Sequence, residues 1–372
     1  MNLTQKDNKT TMSPGKKSAQ AWGKAPQIAV THLDRNVDSF LMRNREGMSV
    51  AIINYGATIA GIEVPDRSGR IEEVTLGHED PVNHIGGRYY LGAVVGRYAN
   101  RIAGGRFKLH GEQIQVTTNT KGNHLHGGLV GFDKRFWNAK IKDEGDDSSL
   151  ELSLVSPDGE EGFPGRMDVT VTYSLNDQNE LMIDYRATTD KPTVLNLTNH
   201  AYFNLTGSTA NSVLNHVLHI NADKFTPTDE MSIPTGEFAD VAGTPMDFRT
   251  PTVIGDRIDA NFDQLVSSKG YDKNWVLNGY SRNVRKAATV FDPSSGRKME
   301  VMTDQPGIQF YTGNYLDGTM TGKKGIRYEK RSGLCLECQH FPDSPNQSNF
   351  PSVVLEPGEV YRQTTIYKFS IV

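Results

Sequence analysis

Several things are scarce in this chain. It has two cysteines in 372 residues, too few for a disulfide-built scaffold. No run of 18 apolar residues occurs, so no transmembrane helix and no membrane partner are expected. Neither sign of charge dominates, since 40 Lys and Arg against 44 Asp and Glu leave a net charge of −4. That balance argues against nucleic acid as a partner, which needs a basic patch or domain. Sustained helical periodicity is scarce too, and short helices are expected only near residues 81–90 and 252–259. No Gly-X-Ser-X-Gly, Walker A or HEXXH pattern is present, so nothing demands a phosphate, a nicotinamide or zinc.

What is abundant is strand signal. Leu150, Leu152 and Leu154 alternate with polar residues, as do Met167, Val169, Val171 and Tyr173, and then Leu181, Ile183 and Tyr185. Period-two alternation bounded by Gly, Pro, Asn and Asp marks strands and hairpins. Residues 353–372 read as a strand, a Pro357-Gly358 turn and a long final strand. The first 26 residues carry five Lys and one Asp with almost no large apolar side chains. Such a segment buries too little to offset its ordering entropy, so a disordered N-terminal arm is expected at 1–26. It lacks the apolar stretch of a secretory signal, which makes the cytoplasm the default compartment. No linker or fixed-period repeat interrupts residues 27–372. One large all-β domain is the expectation, with two antiparallel sheets packed face to face.

Four polar clusters stand out, each with a plainer alternative. Around Gly96–Gly105, Arg101 offers a planar fork suited to paired ligand oxygens; a charged turn is the plainer reading. In His124-Leu125-His126-Gly127-Gly128, an extended backbone puts both rings on one face. That pattern admits a metal, yet His78 and His84 are the nearest upstream histidines and no further ligand sits at a recognisable spacing. The paired glycines leave room for a ligand to approach the backbone, and an ordinary polar turn is the alternative. In the stretch 196–205, His200, Tyr202 and Asn204 share one face if extended, while Ala201, Phe203 and Leu205 take the other. A polar–aromatic face suits a sugar, and a hydrogen-bonded structural histidine is the alternative. Finally, Cys335 and Cys338 form a C-X-X-C pair. In a strand the two point to opposite faces, and no helix follows, so a redox role is disfavoured. Glu337 then shares a face with Cys335 and Gln339, with Leu336 and Cys338 toward the core. A carboxylate between apolar neighbours is costly to bury and is a candidate tuned acid or base.

Taken in order, these clusters resemble the aldose 1-epimerase (galactose mutarotase) family. The similarity runs from about Asn54 to the C-terminus through NYGATIAGIEVPD, LGAVVGRYANRIAGGRF, HLHGG, GFDKRFW, SPDGEEGFPG, NLTNHAYFNL, IPTGE, GYDKNW, QPGIQFYTGNYLDG, SGLCLECQHFPD and NFPSVVLEPGE. The resemblance implies a large antiparallel β-sandwich of the supersandwich, galactose mutarotase-like type. It implies His200 as general acid and Glu337 as general base. Arg101 and His126 then look like substrate-binding residues, and Asp272 and Gln309 resemble the family's hydroxyl-binding positions. Asn100 and Tyr202 lie beside these and are counted with them. Nothing is carried onto His124, and the arm at 1–26 lies outside the resemblance.

The implied reaction interconverts the α and β anomers of free aldohexoses such as D-galactose and D-glucose. One base and one acid suffice for it, so no cofactor and no metal are expected. The only partner expected is a small sugar, on a monomer or homodimer. Related epimerases for another sugar or a sugar phosphate, and a non-catalytic carbohydrate-binding protein, are the alternatives. A nearby carboxylate is expected to favour the imidazolium form of His200.

Overall fold

A computed structural model describes residues 27–144, 147–208 and 210–372. The arm expected at 1–26 lies outside the described residues. Among those described, the largest sheet has nine strands, all paired antiparallel. Their order across the sheet is Asn138–Glu144, Asp147–Ser156, Met167–Leu175, Glu180–Thr189, Tyr361–Ile371, Arg297–Thr303, Arg285–Phe291, Val217–Ile220 and Thr252–Val253. The alternating residues read from the sequence are its inner face. Leu152 lies opposite Val171, Val171 opposite Tyr185, and Tyr185 opposite Gln363. All four are buried. Burying such rows removes large apolar areas from water, which is the main force holding the sheet to its partners.

Two five-stranded sheets complete the inner packing. One runs from Gln27–His32 through Asp38–Arg43, Ser49–Ile53 and Thr58–Pro65 to Ile71–Glu73. The Tyr173 hydroxyl of the large sheet donates to the Ala57 carbonyl beside it, at 2.6 Å. The other has the order Ala239–Asp240, Lys224–Thr226, Asp272–Val276, Gly307–Tyr311, Cys335–Gln339. Its inner face places Trp275 opposite Ile308 and Ile308 opposite Cys338, with Phe310 opposite Leu336. These side chains join one continuous buried cluster with Tyr367 and Phe203. Two polar ties lock the layers. Gln363 donates through Nε2 to the Cys338 carbonyl at 3.1 Å, and the Tyr367 hydroxyl reaches the Leu336 carbonyl at 3.4 Å. Because side chains alternate across a strand, the outer face of this sheet carries Asp272 and Asn274, Gln309 and Tyr311, and Cys335, Glu337 and Gln339. The all-β antiparallel sandwich expected from sequence is therefore the observed architecture.

Helices are as rare as expected but are placed differently. The segment near 81–90 forms a 3-10 turn at Pro81–His84, started by the Asp80 side chain accepting from the Val82 N–H. Near 252–259, β-branched Thr252 and Val253 instead pair with Leu218 and Val217 as an edge strand, followed by a 3-10 turn at Ile254–Asp256. The one described α-helix is Asp263–Val266. No helix among the described residues is long and apolar enough to cross a membrane.

Candidate active site

Glu337 sits mid-strand on the outer face of the third sheet, directly opposite Gln309, which lies opposite Asn274. Gln309 donates through Nε2 to Asp272 Oδ1 at 2.7 Å. Several other polar atoms of this face have no hydrogen-bond partner in the protein. Asn274 Oδ1, Gln309 Oε1, Glu337 Oε2 and both amide atoms of Gln339 are buried without a hydrogen bond. Buried polar groups are normally satisfied, so a row of orphans on one face marks a surface built to meet a polar ligand or ordered water.

His200 faces this row from the segment that follows the Thr198–Asn199 strand, which pairs with Val94–Val95. Its backbone is clamped on both sides: the His200 N–H donates to Ala93 O, and the Gly92 N–H donates to His200 O. His200 Nε2 lies 3.7 Å from Glu337 Oε2, and Nδ1 lies 3.5 Å from Cys335 Sγ. Tyr202 shares the face of His200 as expected, its ring near-parallel to the imidazole at 5.1 Å. Asn204 does not. Its amide nitrogen is consumed by the carbonyls of Asn211 and Ser332, a purely structural use. Ala201, Phe203 and Leu205 enter the core.

The second cluster arrives through a short ladder, Arg101–Ile102 against His124–Leu125. His126 extends it, exchanging bonds with Asn100: the His126 N–H donates to Asn100 O, and the Asn100 N–H donates to His126 Nδ1 at 3.2 Å. Arg101 Nη1 bonds Asn100 Oδ1 at 3.3 Å. The His126 ring meets His200 at 5.3 Å and Tyr90 at 4.7 Å.

The structure corrects three expectations here. The two rings of His-X-His do not share a face, because His126 adopts a left-handed backbone with φ of 49°. His124 instead packs edge-on to Phe163 and bonds the Thr117 carbonyl through Nδ1 at 2.7 Å. The room left by the paired glycines serves the protein's own atoms, not a ligand: a Cβ at Gly127 would strike the Gly96 carbonyl, and one at Gly128 would strike the Glu161 carboxylate. Lastly, the imidazolium of His200 is not favoured at rest. Burial pulls its pKa down to about 4, outweighing the Asp272 charge that pulls the other way. Burial also pushes Glu337 well above the usual carboxylate range, with Asp272 adding to the rise and Arg101 opposing it. Burial thus pushes each group toward its neutral form.

His126, His200 and Glu337 each bring a ligand-type atom to within 4.8 Å of the others, so the trio has the spacing of a cation site. Its donor chemistry opposes that use. The Asn100 N–H fills the lone pair of His126 Nδ1, which leaves the ring proton on Nε2, the atom that would have to ligate. The C-X-X-C pair is divided between faces, Cys335 in the site and Cys338 in the core. Burial raises both thiols, Cys338 to about 12 and Cys335 well above the normal value.

Sequence reasoning missed three residues of this site. Tyr90 stacks on His200 at 5.8 Å and Tyr311 meets it edge-on at 6.5 Å. Asn274 adds an orphaned oxygen. Asn274 was within reach, being two positions from Asp272 on a strand. Tyr90 was not, since its left-handed φ of 57° carries no sequence signal at a non-glycine residue.

A profile of the aldose 1-epimerase family matches residues 38–368. The chain is 47% identical to a galactose mutarotase of Bos taurus over 335 residues, covering 90% of this chain and 94% of that one. It is 46% identical to a galactose mutarotase of Homo sapiens over 324 residues, covering 87% and 92%. A crystal structure of an aldose epimerase homologue from C. elegans superposes with a TM-score of 0.81 at 32% identity, covering 90% of this chain and 99% of that one.

Proposed function

The chain belongs to the aldose 1-epimerase family and is an isomerase; from that premise we propose that it interconverts the α and β anomers of free aldohexoses, with Glu337 as general base and His200 as general acid. The observation that carries this reading is the facing of the two groups, Nε2 to Oε2 at 3.7 Å, across a row of orphaned polar atoms.

The chemistry follows from what the hemiacetal requires. Glu337, as carboxylate, takes the proton of the anomeric hydroxyl. The C1–O bond to the ring oxygen breaks, and His200 gives its Nε2 proton to that oxygen. The open aldehyde turns about C1–C2, and closure on the other carbonyl face reverses both transfers. Net, no atom is gained or lost. The pair carries one proton throughout, and the productive arrangement puts it on His200. A hydroxyl donating to Glu337 stabilises the carboxylate and so draws the proton that way. His126, with Nε2–H free to donate, Arg101, and the Asp272–Gln309 pair are the groups we assign to the sugar hydroxyls, with Asn100 and Tyr202 beside them. The free, buried thiols fit a reducing compartment, and we propose the cytoplasm.

The test is polarimetry. Freshly dissolved α-D-galactose is followed at neutral pH with and without protein, then D-glucose. The native protein accelerates the change in rotation, while Glu337→Gln and His200→Asn each lose roughly 10²–10⁴ in turnover. Folded variants with native turnover would overturn the assignment.

A further inference from the structure

The His200 imidazole is held by aromatic rings to a degree that proton transfer alone does not require. Tyr202 lies at 5.1 Å with an interplanar angle of 28°, and Tyr90 at 5.8 Å with 27°. Both rings are thus near-parallel to the imidazole. His126 and Tyr311 approach edge-on, at 73° and 71°. Tyr90 reaches its place only through two consecutive left-handed residues, Tyr89 at φ 70° and Tyr90 at 57°. Non-glycine residues in that region cost about 1 kcal/mol or more each, and such strain persists where the surroundings enforce it.

The ionisable groups around His200 are Glu337 at Nε2, Cys335 at Nδ1, His126 and Tyr311 at its edge, and Asp272 acting through its charge. Beyond Tyr90 stands Lys134, with Nζ 5.5 Å from the ring centroid. Burial disfavours a positive imidazole in this setting. An aromatic face carries the negative end of its quadrupole outward and attracts a cation.

We propose that Tyr90 and Tyr202 are positioning residues, whose π faces fix the His200 ring and stabilise its protonated form during the proton transfer. This rests on the epimerase reading given above. The stabilisation exists only when His200 carries the second proton, so it belongs to the charged step and not to sugar binding.

The experiment compares Tyr90→Leu with Tyr90→Phe, with Glu337→Gln as control, after near-UV circular dichroism has shown each to be folded. Tyr90→Leu is expected to lower kcat about tenfold with KM nearly unchanged, and to move the acid limb of the pH profile down by about one unit. Tyr90→Phe, which keeps the face and loses the hydroxyl, restores most of that turnover. If Tyr90→Leu does not fold, Tyr90→Met takes its place as a side chain of similar reach without a π face. Native kcat and pH profile in the Leu variant, or equal losses in Leu and Phe, would overturn the proposal. Native turnover in Glu337→Gln would instead overturn the acid–base reading beneath it.

Discussion

Replacing Gly127 by alanine adds one methyl group, and the structure says where it goes. Gly127 has φ of 87°, and the Cβ points into the Gly96 carbonyl at a separation no real Cβ keeps, with Gly131 Cα 3.2 Å away behind it. The Gly96 oxygen cannot simply retreat, because it accepts from the N–H of Phe132, itself buried in the core. The yielding side is the chain carrying His126. Opening the gap to a normal contact needs a movement of about 1 Å or more, and a misplacement of that size at a reacting centre costs on the order of 10²-fold in rate. The left-handed backbone adds about 1–2 kcal/mol of strain for any residue with a Cβ. Gly128→Ala separates the two effects. Its φ is 97°, so the backbone strain is similar, but its nearest contacts are with the Glu161 side chain, which can give way at the cost of its bonds from the Leu129 and Val130 N–H groups. Polarimetric turnover and Tm should therefore both fall for Gly127→Ala, turnover by about 10²-fold, while Gly128→Ala loses stability with a much smaller loss of rate. Equal turnover in the two variants would refute the packing argument.

Two further outcomes follow from burial. Several buried or half-buried histidines have depressed pKa values, among them His84 at about 3; His200, His216 and His340 at about 4; His126, well below normal; and His124, below normal. Burial is the leading cause in each. The unfolded chain protonates them near 6.5 and the folded one does not, so stability falls as pH drops below about 6.5. Each of these histidines therefore contributes in the same direction, toward a loss of stability on the acid side of about pH 6.5. Tm measured at pH 5 and pH 7.5 should differ by many degrees; equal values would show that these histidines do not resist protonation. Cys335 and Cys338 are 0% and 1% exposed. A thiol-specific chromogenic reagent should therefore label neither in the native protein and both after unfolding, and rapid native labelling would contradict their placement.

The legible part of this molecule was its alternation. Leu150, Val169, Ile183 and their neighbours announced strands, and Leu336 and Cys338 announced an inner face, because side-chain period is a local property. The tendency of Glu337 to be an unusual carboxylate was legible for the same reason. What escaped was set by register and depth. Asp272 and Gln309 are 37 residues apart, and their bond exists only because two strands pair in one register. His126 and Tyr90 depart from the extended backbone at left-handed residues, so their rings point where no periodicity predicts. The charge on His200 depended on how completely it is buried, and nothing local in the sequence measures that. The nearby carboxylate was visible and acts in the expected direction, but burial was not visible and outweighs it.

The Tyr361–Ile371 strand comes last among the described strands, yet it lies in the middle of the nine-stranded sheet, between Glu180–Thr189 and Arg297–Thr303. Until it is in place, the sheet is two separate ribbons, each with an open edge bearing unpaired N–H and C=O groups. The strand also supplies Gln363 and Tyr367, which fasten the strand of Glu337 from behind. Synthesis thus reaches the keystone after almost everything it holds together. The emerging chain must wait with two adhesive edges exposed, a state that invites wrong pairing. Closure then depends on contacts between residues far apart in sequence, which form slowly. The meeting of His200 and Glu337 is in this sense a late event in the life of the chain, timed by a strand that carries neither of them.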